Sequence, residues 1–277
     1  MKPTLFNELC TACGRCIRMM GEYCIAEAEG RPVFDESVCN LCLKCVAICP
    51  NGAIGVNGAR SEPLSDFEPG DFAALERLFQ HRRSTKRFTG EPLERALLER
   101  IVAASVFAPN QNKNIRAMIV DDPALIASID NACLRYVRKW YRVLFGFAPF
   151  TAIVRLFYPG IDVIRRKMEL DLRIRGRVVK EGTSALVLLT GDKSVAVTEA
   201  SAQHMIAAVY WAATALGVGS CLMDSVKIAF RIDADLRRRL KLQDGVLTVL
   251  ALGKSAEHIV NIPKGYEVPI AWNGEGH

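Results

Sequence analysis

Eight of the ten cysteines in this 277-residue chain lie within its first 49 positions. Cys39, Cys42, Cys45 and Cys49 read C-x2-C-x2-C-x3-C, and Pro50 follows at once. Upstream, Cys10, Cys13 and Cys16 repeat the triple, and Cys24 comes after a gap of seven residues. Three thiolates spaced this closely wrap one loop around three corners of a cubane iron–sulfur core. The fourth, beyond the turn, reaches a second core. Pro50 stops a helix from continuing and directs the chain away. Structural zinc is the competing reading, because zinc also takes C-x2-C pairs. Two zinc ions would consume eight cysteines, but the repeated triple suits zinc poorly.

The pairing implied is crosswise. One cluster takes Cys10, Cys13, Cys16 and Cys49; the other takes Cys39, Cys42, Cys45 and Cys24. The gap before Cys24 departs from the three-residue spacing, and no proline follows it. Phe6 and Phe34 each lead into a cysteine loop, which reads as an internal duplication. "PVF" and "AIGV" are short strand candidates in the second half. On these motifs residues 1–58 resemble a bacterial-type ferredoxin with two 4Fe-4S clusters. Such a module carries single electrons and needs a partner for them.

Residues 59–70 read as a linker, rich in proline and closed by Pro-Gly. From 71 to 277 the pattern changes. "DFAALERLFQHRR" has apolar residues at helical spacing. "PLERALLERIVAASVFAP" is a second helix, with Pro92 suited to its first turn and Pro109 beyond its end. "RAMIV", "SALVLLT", "SCLM" and "GVLTVLALG" are strand candidates. "TEASAQHMIAAVYWAATALG" is a long helix, with Thr198 placed to cap it and Gly217 at its close. Alternating helices and apolar strands give an α+β layer protein. Residues 123–180 look less regular, and their Arg, Lys and aromatic content suits a cover over a site or a solvated helical excursion.

"RRSTKRF", residues 82–88, puts Arg82, Arg83, Ser84, Lys86 and Arg87 within reach of one phosphate. A basic surface turn or a nucleic-acid patch is the plain alternative. "APNQNKN" offers Asn110, Asn112 and Asn114, whose amides both donate and accept, as a heterocycle requires. "LGVGSCLM" is glycine-rich between a helix and a strand, so backbone can approach a planar ring. In this order the pieces resemble the nitroreductase family of flavoproteins. Arg82, Ser84, Lys86 and Phe88 match its Arg-x-Ser-x-Lys-x-Phe opening. Ala108, Pro109 and Asn110 start its Ala-Pro stretch, Asn112 takes the asparagine place after a one-residue deletion, and Asn114 replaces a glutamine. The usual Pro-Trp is absent, replaced by "IRA", and Lys264 matches a late lysine after proline.

The resemblance implies a three-layer α+β fold binding FMN at a homodimer interface. Arg82, Arg83, Ser84, Lys86 and Lys264 would hold the phosphate. Asn110, Asn112 and Asn114 would meet the ribityl chain or ring edge. Main chain at Cys221, Leu222, Met223 and Asp224, with Gly253 on the last strand, would line the ring. Joined to two clusters, this reads as an FMN-dependent oxidoreductase that reduces a small conjugated acceptor: a nitroaromatic, quinone or enone. An external redox protein would then be the donor. The alternative runs backwards: NAD(P)H reduces the flavin and the ferredoxin half exports single electrons. No G-x-G-x-x-G fingerprint marks a separate nucleotide site. A third reading is a redox sensor without turnover.

Composition sets the remaining bounds. Half the residues are hydrophobic, enough for a proper core, and 24% are charged. The formal charge of +6 falls to about +2 once cluster charges are included, so it is weak support for a nucleic-acid partner. No secretory signal is evident, which with clustered cysteines points to the cytoplasm. The most apolar stretch, residues 143–159, contains Pro149 and Arg155 and reads as a lid or interface helix, not a membrane anchor. Cys133 is expected in the core, Cys221 either packed or facing the ring, and His204 structural. Trp140, Tyr141, Phe145, Phe147 and Phe150 fit either a substrate cover or packing.

Overall fold

The computed structural model describes residues 2–20, 24–39, 42–64, 70, 72–110, 114–158 and 160–261. Its N-terminal unit repeats one plan twice. β1 (Pro3–Leu5) leads through the first cysteine loop to α1 (Arg15–Met20) and β2 (Ile25–Ala28). β3 (Arg31–Phe34) leads through the second to α2 (Lys44–Ala47) and β4 (Ile54–Val56). β1 pairs antiparallel with β4 and β2 with β3, so the halves close on each other. Gly14 and Leu43, each just after the second cysteine of its triple, are both left-handed, at φ 68° and 62°. A leucine there costs about 1–2 kcal/mol, yet the turn is kept in both halves. Cys16, Cys24, Ile25, Cys45 and Ile54 make a small core.

The unit runs past residue 58. A tight turn at Asn57 and Gly58 is closed by Val56 and Ala59, which exchange backbone hydrogen bonds of 3.1 and 2.9 Å. Arg60 then pairs with Glu8 at 2.7 Å and lies over the Phe6 ring.

All four apolar runs of the second unit are strands of one antiparallel sheet, in the order β5-β6-β8-β7. These are β5 (Arg116–Val120), β6 (Ala185–Gly191), β7 (Gly219–Leu222) and β8 (Gly245–Gly253). β6 is buried along its whole length. Leu186 and Leu188 enter one core, while Ala185, Val187 and Leu189 enter the other. That strict alternation is the pleat of a strand covered on both faces. One core is closed by α5 (Pro123–Phe145), α9 (Lys227–Ile232) and α10 (Ala234–Arg239). The other is closed by α4 (Arg95–Ala103) and α8 (Thr198–Ala215). α3 (Phe72–His81) buries no residue and leans on α8 through Phe79 and Trp211, ring centroids 4.6 Å apart. The result is the expected three-layer α+β arrangement.

Local details differ from expectation. α4 starts at Arg95 after Glu94, so Pro92 lies ahead of the helix. Thr198 does not cap α8 but is its first residue, fully buried, because the preceding turn already donates from its amide to Val195. Gly217 does end the helix: its amide reaches Thr214 at 3.1 Å and that of Val218 reaches Ala213 at 2.8 Å, a Schellman closure. Residues 123–180 are mostly helical, with α5 followed by α6 (Ala148–Phe157), α7 (Ile161–Glu169) and a wide π-type turn over Leu170–Arg175. α5 is started by the Asp122 carboxylate, which accepts from Ala124 at 2.8 Å, with Pro123 at its first position. The apolar stretch near 150 is split at Gly146, and α6 leaves Phe147, Leu156 and Phe157 exposed. Among the described residues no helix is long and apolar enough to cross a membrane.

Candidate functional site

The cysteines fall into two groups. Cys10, Cys13, Cys16 and Cys49 line one cavity, walled by Pro32, Pro50 and Ile54. Cys24, Cys39, Cys42 and Cys45 line a second, walled by Ile25, Phe34 and Val46. Burial pushes the Cys45 thiol up to about 11, and the charges of Cys42, Cys39 and Cys24 add to the rise. Cys16 and Cys24 are raised for the same reason, burial first and neighbouring thiolates after it. Sulfurs crowded in this way resist carrying charge unless a cation is among them. The Ala53 amide donates to Cys49 Sγ at 3.2 Å, the kind of hydrogen bond that tunes a cluster. Among the described residues no three His, Cys, Asp or Glu side chains gather as a site for a single metal ion. The donor set and its spread around cavities fit a polynuclear sulfur-ligated group.

The basic segment of the second unit is laid along the sheet. β7 is an edge strand, and Ser84 forms a parallel bridge with Ser220 on its open side. The Thr85 amide donates to the Ser220 carbonyl at 2.9 Å. Thr85 and Phe88 point inward and are buried, while Ser84 and Lys86 are exposed. So the two pieces separated by more than a hundred residues of sequence, 82–88 and 219–224, meet edge to edge. Two glycines make this possible. A Cβ on Gly219 would lie 2.8 Å from Thr85 Oγ1. Gly182, at φ +68°, lets the Phe88 carbonyl pass where a side chain would stand.

The other candidates divide. The Arg82 guanidinium lies over the rings of Tyr210 and Trp211 on α8, at 5.4 and 5.7 Å. Arg83 folds back on the Arg82 carbonyl. Asn110 donates to the Met205 thioether, also on α8. Asn114 is exposed and is hydrogen-bonded or otherwise paired. Asn112 and Lys264 lie outside the described residues. Leu222 is exposed beside the basic segment. Cys221 packs into the core. The Met223 amide is spent on the Val249 carbonyl at 2.8 Å. The Asp224 carboxylate accepts from Thr248 at 2.8 Å and from Lys227 at 3.2 Å. Gly253 makes room for the Phe88 ring, 2.9 Å from where its Cβ would be. Cys133 is fully buried and His204 is exposed on α8. Residues that sequence reasoning passed over are Thr85, Gly182 and Asp130. The Asp130 carboxylate accepts from the amides of Val178 and Val179 and ties down the strap ahead of β6. Only the Glu-Gly just before a buried strand hinted at Gly182.

The fold and its matching family model define a flavin-dependent oxidoreductase. The chain belongs to the nitroreductase family, whose model matches residues 79–254. A 4Fe-4S binding domain model matches residues 32–55, which contain Cys39, Cys42, Cys45 and Cys49. Three solved structures share the fold. A nitroreductase with bound FMN from Desulfitobacterium hafniense DCB-2 is 16% identical with a TM-score of 0.54, covering 70% of this chain and 97% of that one. A nitroreductase with bound FMN from Bacteroides fragilis NCTC 9343 is 15% identical at 0.52, covering 72% and 98%. An FMN-dependent nitroreductase from Clostridium difficile R20291 is 19% identical at 0.50, covering 71% and 98%. No curated protein matches the chain.

Proposed function

We propose that this chain is an FMN-dependent reductase fed by two 4Fe-4S clusters of its own. Its acceptor is a small conjugated electrophile. The observation that carries the reading is the meeting of Arg82–Lys86 with β7, in a chain that also holds two four-cysteine cavities. Cys10, Cys13, Cys16 and Cys49 hold one cluster, and Cys24, Cys39, Cys42 and Cys45 hold the other. When bound, the flavin supplies the exchange between one-electron carriers and a two-electron acceptor.

The chain's own residues bind and orient. Arg82, Ser84 and Lys86 form the phosphate end, with Arg83 and Lys264 nearby. Asn110, Asn112 and Asn114 supply polar contacts to the ribityl side. Leu222, exposed on the edge strand, gives apolar surface for a planar ring. Cys221, Met223, Asp224 and Gly253 act from behind it, by fixing β7 and β8. The active form is a homodimer in the cytoplasm, and an external redox protein is the donor.

An anaerobic absorption spectrum with iron, sulfide and flavin quantified tests this first. About eight irons and one FMN per chain are expected. Photoreduction of the clusters then bleaches the flavin, and adding a nitroaromatic or quinone restores it. Rapid bleaching by NADH or NADPH alone would favour the reversed traffic, with electrons leaving through the clusters. Zinc without flavin would overturn both.

A further inference from the structure

Beside the proposed flavin site lies a basic pocket that the family motifs account for only at Lys86. The π-type turn contributes Arg175, the strap before β6 contributes Arg177 and Lys180, and the 82–88 segment contributes Lys86 and Arg87. The carboxylates of Glu181 and Glu257 also line it, and Asp171 is buried behind it. Two cations are partly answered: Arg177 lies 3.9 Å from Glu181 and Arg175 lies 3.6 Å from Asp171. Glu257 accepts from the Lys86 amide at 3.1 Å, so it serves the backbone. Among the described residues neither the Lys86 nor the Lys180 ammonium makes an ion pair. Positive charge is therefore in excess.

Lys180 is held in place. Its two predecessors, Val178 and Val179, are buried and donate to Asp130 at 2.7 and 2.8 Å. Gly176 and Gly182, both left-handed, bound the strap. Burial, together with the charges of Arg175 and Lys86, lowers the Lys180 pKa, and the Asp171 carboxylate opposes that shift only in part. A half-buried ammonium among like charges is costly until an anion completes the site. The pocket includes Lys86, the last of the proposed phosphate ligands, but neither Arg82 nor Ser84, so it adjoins the phosphate end and extends away from it.

We propose that Lys180 and Arg175 bind a carboxylate on the electron acceptor, so that the preferred substrates are conjugated or aromatic carboxylates. This rests on the reductase reading. A guanidinium fork and an ammonium group around one carboxylate give both attraction and orientation. The acceptor's reducible group would then lie toward β7.

The test has a binding arm and a turnover arm. In the first, benzoate is titrated into the holoprotein by calorimetry, with benzamide as the neutral match. Benzoate is expected to bind and benzamide not. Lys180→Gln and, independently, the more exposed Arg175→Gln should each weaken benzoate about tenfold or more. In the second arm the photoreduced protein is mixed anaerobically with 4-nitrobenzoate or nitrobenzene. Two electrons from the protein and two protons convert the nitro group to nitroso and water. The rate ratio of nitrobenzoate to nitrobenzene should exceed one and fall about tenfold in each variant. Equal binding of benzoate and benzamide, or an unchanged ratio, overturns the proposal while leaving the reductase reading intact. Loss of FMN from both variants in step with loss of benzoate binding also overturns it, because the pocket would then serve the flavin phosphate. Failure of every acceptor to reoxidise the protein, with benzoate still bound, would instead strike the reductase reading.

Discussion

Gly182 lets the 84–88 segment reach the sheet by having no side chain. Its φ is +68°, and a Cβ there would lie 2.2 Å from the Phe88 carbonyl oxygen, 2.6 Å from its carbon and 2.8 Å from the Gly90 nitrogen. All three are backbone atoms, so no rotamer change relieves the clash. Gly182→Ala therefore has two costs. The left-handed backbone alone costs about 1 kcal/mol. Clearing the clash breaks the 2.8 Å bond from the Phe88 amide to Glu181, worth about 1 kcal/mol. It also lifts the Phe88 ring, now 4% exposed, which is worth about 1.5–3 kcal/mol if the ring leaves the core. The total is about 3.5–5 kcal/mol. Gly217→Ala is the control: its φ is +70°, but nothing lies within 4 Å of the added Cβ, so only about 1 kcal/mol is lost. Urea unfolding followed by tryptophan fluorescence measures both, with flavin per chain determined in the folded baseline. Gly182→Ala should unfold at least about 2 kcal/mol more easily than Gly217→Ala and should retain little flavin. Equal midpoints with full flavin in both would refute the idea that this close approach seats the cofactor segment.

Three further outcomes are expected. Cys49→Ser and Cys24→Ser should each remove about half the iron, from different cavities, as read by iron analysis and electron paramagnetic resonance. Asp224→Ala leaves the fully buried Thr248 hydroxyl without its 2.8 Å acceptor and should cost about 1–3 kcal/mol in a thermal or urea melt. Burial pushes the Cys133 thiol well above its ordinary range, up to about 12, with the charge of Asp130 adding to it. The unfolded thiol therefore loses its proton first as pH rises. The stabilisation is whole below pH 9 and declines above it, by up to about 1.4 kcal/mol per pH unit. The difference between wild type and Cys133→Ala in urea midpoints from pH 8 to 10.5 measures that slope, and a flat difference would disprove it.

The two cysteine triples were legible because each shares one cavity through a spacing a few residues long, while the fourth cysteine of each cavity comes from the other half of the unit. The four sheet strands were legible too, since runs such as "ALVLL" and "GVLTVLALG" can be satisfied only by burial on both faces. β8 shows where that ends. Its register with β6 slips between Leu189 and Thr190, and Thr248 turns its hydroxyl to Asp224. A period-two pattern does not announce a bulge. Residues 123–180 read as less regular, with a helical excursion only as one alternative, because α6 and α7 keep apolar and basic residues exposed, which blurs helical periodicity. The motif "RRSTKRF" was visible as chemistry, but its docking on β7 was not. That contact depends on missing atoms at Gly182 and Gly219, and on a strand far along the chain.

That last contact has a consequence for synthesis. Ser84 leaves the ribosome roughly 130 residues before Ser220, the residue it must pair with. At ordinary elongation rates the wait is on the order of ten seconds. The N-terminal unit closes through β1 and β4, which lie within its first 56 residues, and has no such delay. The nascent chain is then expected to carry a folded, cluster-ready head while its flavin half is still open at the β7 edge. Maturation should follow that order, iron and sulfide first and flavin last. Any arrest before β7 emerges would leave a polypeptide able to hold electrons with nowhere to send them.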